Sequence, residues 1–326
     1  MRPKVSIVIP IFKAEAYIER CARSLFEQSL DNIEYIFVND CSPDNSMYLL
    51  DKVLGDYPQR KEQVHIINHS QNLGAAKARE VGIKVATGEY IIHCDSDDWV
   101  ERNMYQTMYE EVQNHNADIV ICDFYETDGI RHKHITQHID TKSDLLRGLL
   151  NTSIKGNICN KLVASYIYKS IKSFPTAHMM EDLAYCIQFE LNRTGKVIHL
   201  AIPLYYYYYN INSICHQPDE SSCLARCQQT CTNIDYIINI LKSKGLEAKY
   251  KQDIIVLKSN AKVYMWPLLI QDPQKYYSTW RSIYSEINWT YPFVPCVNLR
   301  FRIIFFLTVI GIYPNFIHLI RKFTKR

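Results

Sequence analysis

The first ~125 residues alternate short apolar runs with amphipathic stretches, and this alternation admits few folds. Val5–Ile9 is apolar apart from Ser6 and is stopped by Pro10. Tyr35–Val38, Val64–Ile67, Tyr90–Ile92 and Asp118–Cys122 are further runs of this kind. Between them, residues 15–28 set Tyr17, Ile18, Cys21, Leu25 and Phe26 at helical spacing. Ala75–Ala86 and residues 101–114 also read as helices. Strands apolar on both faces need cover on both faces. Repeated units of this type therefore predict an α/β fold, a mostly parallel sheet flanked by helices. Ligands of such sheets bind beyond the carboxyl ends of the strands. The polar clusters at 39–46, 68–74 and 95–98 each follow a strand, so a site is expected where they converge.

From about 125 to 217 the pattern is mixed, with a helix expected over 180–192 and strands near 197–200 and 203–209. After Pro218 the chain reads as helical, with segments near 221–244, 247–270, 273–286 and 300–323. The expected division is a catalytic domain over 1–217 and a helical C-terminal region over 218–326. The net charge of +3 is too small to suggest a nucleic-acid partner, but it is unevenly spread. Residues 1–217 carry 22 Lys+Arg and 27 Asp+Glu, whereas residues 218–326 carry 15 and 7. Eleven cysteines without a CxxC pair read as free thiols in a reducing compartment. Val5–Phe12 contains Pro10 and lacks a small-residue cleavage site, so no signal peptide is read there and a cytoplasmic location is expected.

Asp95-Ser96-Asp97-Asp98 places three acids in four positions directly after an apolar strand. Two carboxylates one residue apart at a strand end can turn toward one divalent cation. Mg²⁺ and Mn²⁺ favour such oxygen ligands and leave positions open for phosphate oxygens. The alternative is that Asp97 or Asp98 caps the helix starting near Glu101. Neither a G-x-x-x-x-G-K-[ST] loop nor a G-x-G-x-x-G turn is present, so a bound nucleotide would need a metal to carry its phosphate charge.

Four segments, taken in order, resemble family 2 glycosyltransferases of the GT-A (Rossmann-like) fold. They are Val5–Phe12, Val38–Asp44 as the family's V-D-D-G-S-x-D, Asn72-Leu73-Gly74 with Ala78-Arg79 and Gly82, and Asp95–Asp98 as its D-x-D-D. The resemblance is strong over roughly residues 3–125, the expected nucleotide-sugar part, and implies a role for each motif. Pro10, Ile11 and Phe12 would line the base and ribose, and Asp40 would hydrogen-bond the base. Asn72 and Arg79 would close the nucleotide pocket, and Ser96 would touch the ribose. Asp97 would ligate Mn²⁺ or Mg²⁺ on the diphosphate, with Asp95 near donor and metal. Asn39 and Cys41 depart from the family pattern, and Cys41 in place of glycine predicts a turn without positive φ.

Residues 126–217 are the expected acceptor part. Glu181-Asp182 opens its predicted helix, where acids also favour the positive end of the helix dipole. The resemblance implies a catalytic base here, Asp182, with Glu181 as runner-up. Asn160-Lys161-Leu162, Pro203-Leu204-Tyr205 and Asn212-Ser213-Ile214 also look like family landmarks. Lys161 reads as a surface or salt-bridged lysine in preference to a phosphate contact. Tyr205–Tyr209 reads as a half-buried strand, by packing or by stacking on a sugar. Cys223, Cys227 and Cys231 share a helix face and read as core.

The forty residues after Glu286 hold six Lys+Arg and no acid. Within them Ile303–Ile320 lacks any Lys, Arg, Asp or Glu, and Pro314 is expected to divide it into two short helices. Apolar rings with flanking arginines suit a helix lying in an anionic membrane interface, with internal packing or a span as alternatives. The implied activity is metal-assisted, inverting transfer of a sugar, with a UDP-sugar as donor, to a glycan or lipid-linked acceptor. The implied setting is bacterial surface-polysaccharide biosynthesis at the inner membrane face. The alternatives are a sugar nucleotidyltransferase and a non-catalytic scaffold of the same fold.

Overall fold

The computed structural model describes residues 2–137, 139, 144–210, 219–315 and 317. The landmark at 212–214 and the basic residues from 321 onward lie outside them. The chain divides into two compact units. One is formed by the residues up to Leu145 with Ile154–Asn210, the other by Leu146–Ser153 with the residues after Asn210.

The first unit begins with β1 (Val5–Ile11), α1 (Ile18–Phe26), β2 (Ile33–Asn39), α2 (Ser46–Gly55), β3 (Val64–Asn68), α3 (Ala75–Val85) and β4 (Tyr90–His93). These strands pair in parallel in the order β3-β2-β1-β4, as the alternating runs predict. β1 and β2 are almost wholly buried because most of their side chains are apolar, and the buried Glu34 accepts hydrogen bonds from Ser6 and Thr87. α1 turns Ile18, Cys21, Ala22, Leu25 and Phe26 onto the sheet. Full burial of side chains such as Leu25 and Phe26 contributes roughly 1.5–3 kcal/mol each. α3 packs closely because Gly82 has no side chain: a Cβ there would lie 2.4 Å from Val8 Cγ1. The register sets Ile11, Asn39 and Asn68 level at one edge. β4 stops earlier, with His93 opposite Val8, so Cys94–Asp98 crosses the strand ends.

The rest of this unit is mixed in direction. It comprises β5 (Trp99–Val100), α4 (Met104–His115), β6 (Ala117–Thr127), β7 (His132–Ile135), α5 (Leu145–Leu150, which passes into the second unit), β8 (Lys161–Ala164), α6 (Ser165–Lys169), α7 (Glu181–Asn192) and β9 (Lys196–Tyr208). β8 joins β4 and β6 in antiparallel fashion, and β9 runs parallel to β6. The two strands expected at 197–200 and 203–209 are one strand. Its register shifts opposite Cys122–Phe124, where Pro203 has no N–H to give the ladder.

The second unit is helical, with α8 (Glu220–Ser243), α9 (Lys251–Val263), α10 (Trp266–Gln271), α11 (Pro273–Ser282) and α12 (Leu299–Val309). Cys223 and Cys227 pack in its core with Met265, Leu269 and Trp280. The helix expected over 247–270 is divided between α9 and α10, with Pro267 in the first turn of the second. The break expected at Pro314 falls earlier. Gly311, at φ +80°, ends α12, and its N–H donates to the Thr308 carbonyl at 2.9 Å. Pro314 lies within the helical residues 312–315, near their start, where its missing N–H costs little. Among the described residues no helix is long and apolar enough to cross a membrane.

Candidate active site

The turns after β1, β2, β3 and β4 meet at the carboxyl edge of the parallel strands. Asp40, directly after β2, is buried and acts as their tie. Its Oδ1 accepts from the Leu73 N–H at 2.8 Å and meets His69 Nδ1 at 2.8 Å; its Oδ2 accepts from the Gly74 N–H at 2.6 Å. Gly74 is at φ +86°, and a Cβ there would lie 1.8 Å from His178 Cε1. Pro10 and Ile11 end β1 beside this tie, and Phe12 is 40% exposed. Asn72 is exposed on the same loop as Gly74.

Cys41 has φ +58°, which corrects the expectation drawn from the missing glycine. The turn needs the left-handed conformation, and the chain bears its strain. Asn39 Oδ1 accepts the Ser42 N–H at 2.9 Å and holds the turn closed. Cys41→Gly is expected to stabilise the fold by about 0.5–1 kcal/mol, read as a higher urea midpoint. A lower midpoint would contradict this. Lys13 and Met180 also have positive φ, so backbone strain gathers around this edge.

Arg79 of α3 is the centre of the charge arrangement. It is buried, donating Nη2–H to Asp95 Oδ1 at 2.5 Å and Nη1–H to Glu181 Oε1 at 2.6 Å. Asp182 Oδ1 lies 3.8 Å from Nη1. Burial works against the Arg79 charge, and Asp95, Asp182 and Glu181 more than offset it. Arg79 thus joins two motifs that are 102 residues apart in sequence. The two acids of α7 differ in access: the Glu181 side chain is 10% exposed, that of Asp182 29%. Asp182 Oδ1 has no hydrogen-bond partner among the described residues. Burial raises both carboxyls above their ordinary range; Asp182 adds to the rise at Glu181, and Arg79 opposes it at both.

Asp95, Ser96 and Asp97 are partly exposed, whereas Asp98 is buried. Asp98 does not cap α4, whose N-cap Asn103 has no side-chain cap bond. It accepts from Tyr205 Oη at 2.5 Å and the Tyr208 N–H at 2.7 Å instead. Tyr205 Oη also accepts the Asp95 N–H at 3.1 Å. Tyr205 therefore fixes the acidic turn from β9. Asp97 Oδ2 accepts from Asn210 Nδ2 at 3.3 Å. Burial, then the Asp95 charge, pushes the Asp97 carboxyl up to about 6.

Asp95 and Asp97 offer carboxylate oxygens to a cation. Among the described residues no three His, Cys, Asp or Glu converge as a complete cage. Two repelling carboxylates at an open strand edge fit Mn²⁺ or Mg²⁺, which take one or two carboxylates and complete their shell with phosphate and water.

Lys161 is buried and has no salt bridge among the described residues, which corrects the expectation. Its buried Nζ donates to the Lys155 and Asn157 carbonyls and to Asn160 Oδ1, at 2.5–3.0 Å, and holds the loop before β8. Tyr206 stacks on Trp99 at 5.0 Å, Arg20 lies 3.7 Å over the Trp99 ring, and Tyr125 follows Tyr206 at 5.1 Å. These rings stack on one another, as packing predicts.

Residues 6–167 match the family model described as "Glycosyl transferase family 2". The chain is 32% identical over 228 residues to the uncharacterized glycosyltransferase EpsJ of Bacillus subtilis, a match spanning 67% of this chain and 64% of EpsJ. Residues 6–167 form a glycosyltransferase family 2 domain. The match to EpsJ spans less than two thirds of that protein's length. The fold is also that of S. aureus TarS 1–349 solved with UDP, at TM-score 0.68 and 16% identity, covering 98% of this chain and 91% of that one. The mannosyltransferase PcManGT of Pyrobaculum calidifontis, solved with GDP-Man and Mn²⁺, has TM-score 0.54 and 13% identity, covering 89% and 87%. The family 2 domain is thus an α/β domain of the GT-A type. In it His69 and His178, which no sequence motif included, join the motif residues at the site edge, as does Tyr205 of the Pro203-Leu204-Tyr205 landmark.

Proposed function

We propose that this family 2 domain transfers a sugar from a nucleoside-diphosphate donor, UDP-linked, to a hydroxyl of a glycan or lipid-linked acceptor, with inversion. The observation that carries the proposal is the placement of Asp182. Arg79 clamps Asp95 and Glu181 and leaves Asp182 more open, 3.8 Å from the same guanidinium. A proton acceptor and the donor-side acids thereby share one charge cluster.

In the proposed reaction Pro10, Ile11, Phe12, Asp40, Asn72 and Ser96 bind the nucleotide. Asp97, with Asp95, would hold Mn²⁺ or Mg²⁺, which when bound supplies positive charge to the leaving diphosphate. Asp182 accepts the proton of the attacking hydroxyl as the acceptor oxygen bonds the anomeric carbon and the bond to the diphosphate breaks. Asp98 and Tyr205 keep the acidic turn in place. The Mn²⁺ and GDP-Man of PcManGT and the UDP of TarS support the reading of metal and donor class. Bacterial surface-polysaccharide assembly is the proposed setting. α12 exposes Leu299, Phe301, Ile303 and Phe306 beside Arg300 and Arg302, which supports a peripheral membrane location.

Thermal shift with nucleotide sugars and Mn²⁺ tests the proposal. A donor at 100 times its Kd should add about 2.7 kcal/mol. Asp97→Asn should raise the midpoint of the unliganded protein and abolish the Mn²⁺-dependent part of the shift. The sign follows from the Asp97 carboxyl, at about 6 when folded and about 4 when unfolded. The folded state binds the proton more tightly, so stability is lost as pH rises through 6, and Asn removes that loss. A Mn²⁺-dependent shift surviving in Asp97→Asn would refute the metal assignment.

A further inference from the structure

A cavity of about 310 Å³ lies within the second unit, lined by residues of α9, α10, α11 and α12 together with Tyr291 and Tyr313. Its walls are aromatic and aliphatic, among them Trp266, Trp280, Phe301 and Phe305. Lys262 also lines it, buried. The Lys262 ammonium donates to the Trp280 carbonyl at 2.7 Å and lies 4.3 Å over the Trp280 ring. In its charged form it has three N–H donors, so this hydrogen bond leaves two for a ligand. Glu286, the acid that acts on it through space, pairs with Lys258 at 2.6 Å. Trp280 is fully buried and its Nε1–H has no partner among the described residues.

A buried amine and an orphaned donor are costly in an apolar cavity unless something accepts from them. Burial holds the Lys262 amine down to about 7, and an anion beside it would restore its charge. The rim is apolar. Val263 and Phe301, which line the cavity, are exposed by 60% and 62%. The volume is at the small end for ligand sites, enough for a compact head group and the first part of a chain.

We propose that this cavity binds the phosphate end of a chain lipid, with Lys262 and Trp280 Nε1 donating to the phosphate and the chain leaving over Val263 and Phe301. The proposal extends the membrane-surface reading but does not need the sugar-transfer reading. The ligand chemistry separates this lipid from free phosphate, because only a lipid uses the apolar rim.

Tryptophan emission of the full chain reports on the cavity through Trp266 and Trp280. The titrants are dodecyl phosphate below its micelle-forming concentration, dodecanol and inorganic phosphate. Dodecyl phosphate should change emission saturably, dodecanol should bind about tenfold more weakly, and inorganic phosphate should have no effect. Lys262→Met, which keeps the apolar stem, should weaken dodecyl phosphate about tenfold and leave dodecanol unchanged. Phe301→Asp, at an exposed rim position, should weaken both chains and serves if the buried variant misfolds. No saturable response of the wild type, equal binding by Lys262→Met, or a response to inorganic phosphate alone would overturn the proposal. These results do not involve a nucleotide sugar, so they stand apart from the fate of the transferase reading.

Discussion

Asp182→Asn is expected to keep nucleotide-sugar binding and lose sugar transfer by about 10²–10⁴-fold, the usual contribution of a positioned general base. The change is nearly isosteric and leaves the Arg79 bonds to Asp95 and Glu181 intact. What is lost is an oxygen that can take a proton. The companion Glu181→Gln removes a bond to Arg79 and should cost stability as well as rate. The pH profile carries the same information. Both carboxyls sit above their ordinary range, chiefly through burial, and they titrate as a pair. The base works only when deprotonated, so transfer should fall as pH drops through the pair's titration. The fall should begin at a higher pH than an exposed aspartate would give. Transfer by Asp182→Asn within threefold of wild type would move the base elsewhere.

Arg79→Met should destabilise the protein by about 3–5 kcal/mol, because removing one partner leaves buried carboxylates uncompensated. Arg79 is buried and meets Asp95, Glu181 and Asp182. Methionine keeps much of the stem's packing, so the loss measures charge. The deficit should be largest near neutral pH and shrink on acidification, as protons neutralise the stranded acids. Urea denaturation at two pH values reads both magnitude and trend. A loss below about 1 kcal/mol at neutral pH would show that water, not Arg79, balances these acids.

The parallel half of the fold was legible because its strands are short, mostly apolar runs and each helix follows within the chain. The site edge was legible for the same reason. The structure differs where long-range partners decide. Asp98 looked like a cap or a further acid, and only β9, more than a hundred residues away, shows it to be a brace. Lys161 looked like a surface cation, yet carbonyls of its own loop absorb its donors. Cys41 hid a left-handed turn because a residue with a Cβ, standing where the family pattern has glycine, argues against positive φ. Gly311 and Pro314 competed to end a helix, and the positive φ of glycine won. Arg79 was marked as a pocket residue, but the sequence holds no sign that it would reach Glu181.

The most direct measurement is the product released from a UDP-sugar by the purified chain with Mn²⁺. The proposed reaction predicts UDP and a free or transferred sugar, abolished by a chelator and restored by Mn²⁺. Failure to release UDP from any sugar donor, with pyrophosphate instead formed from UTP and a sugar phosphate, would contradict it.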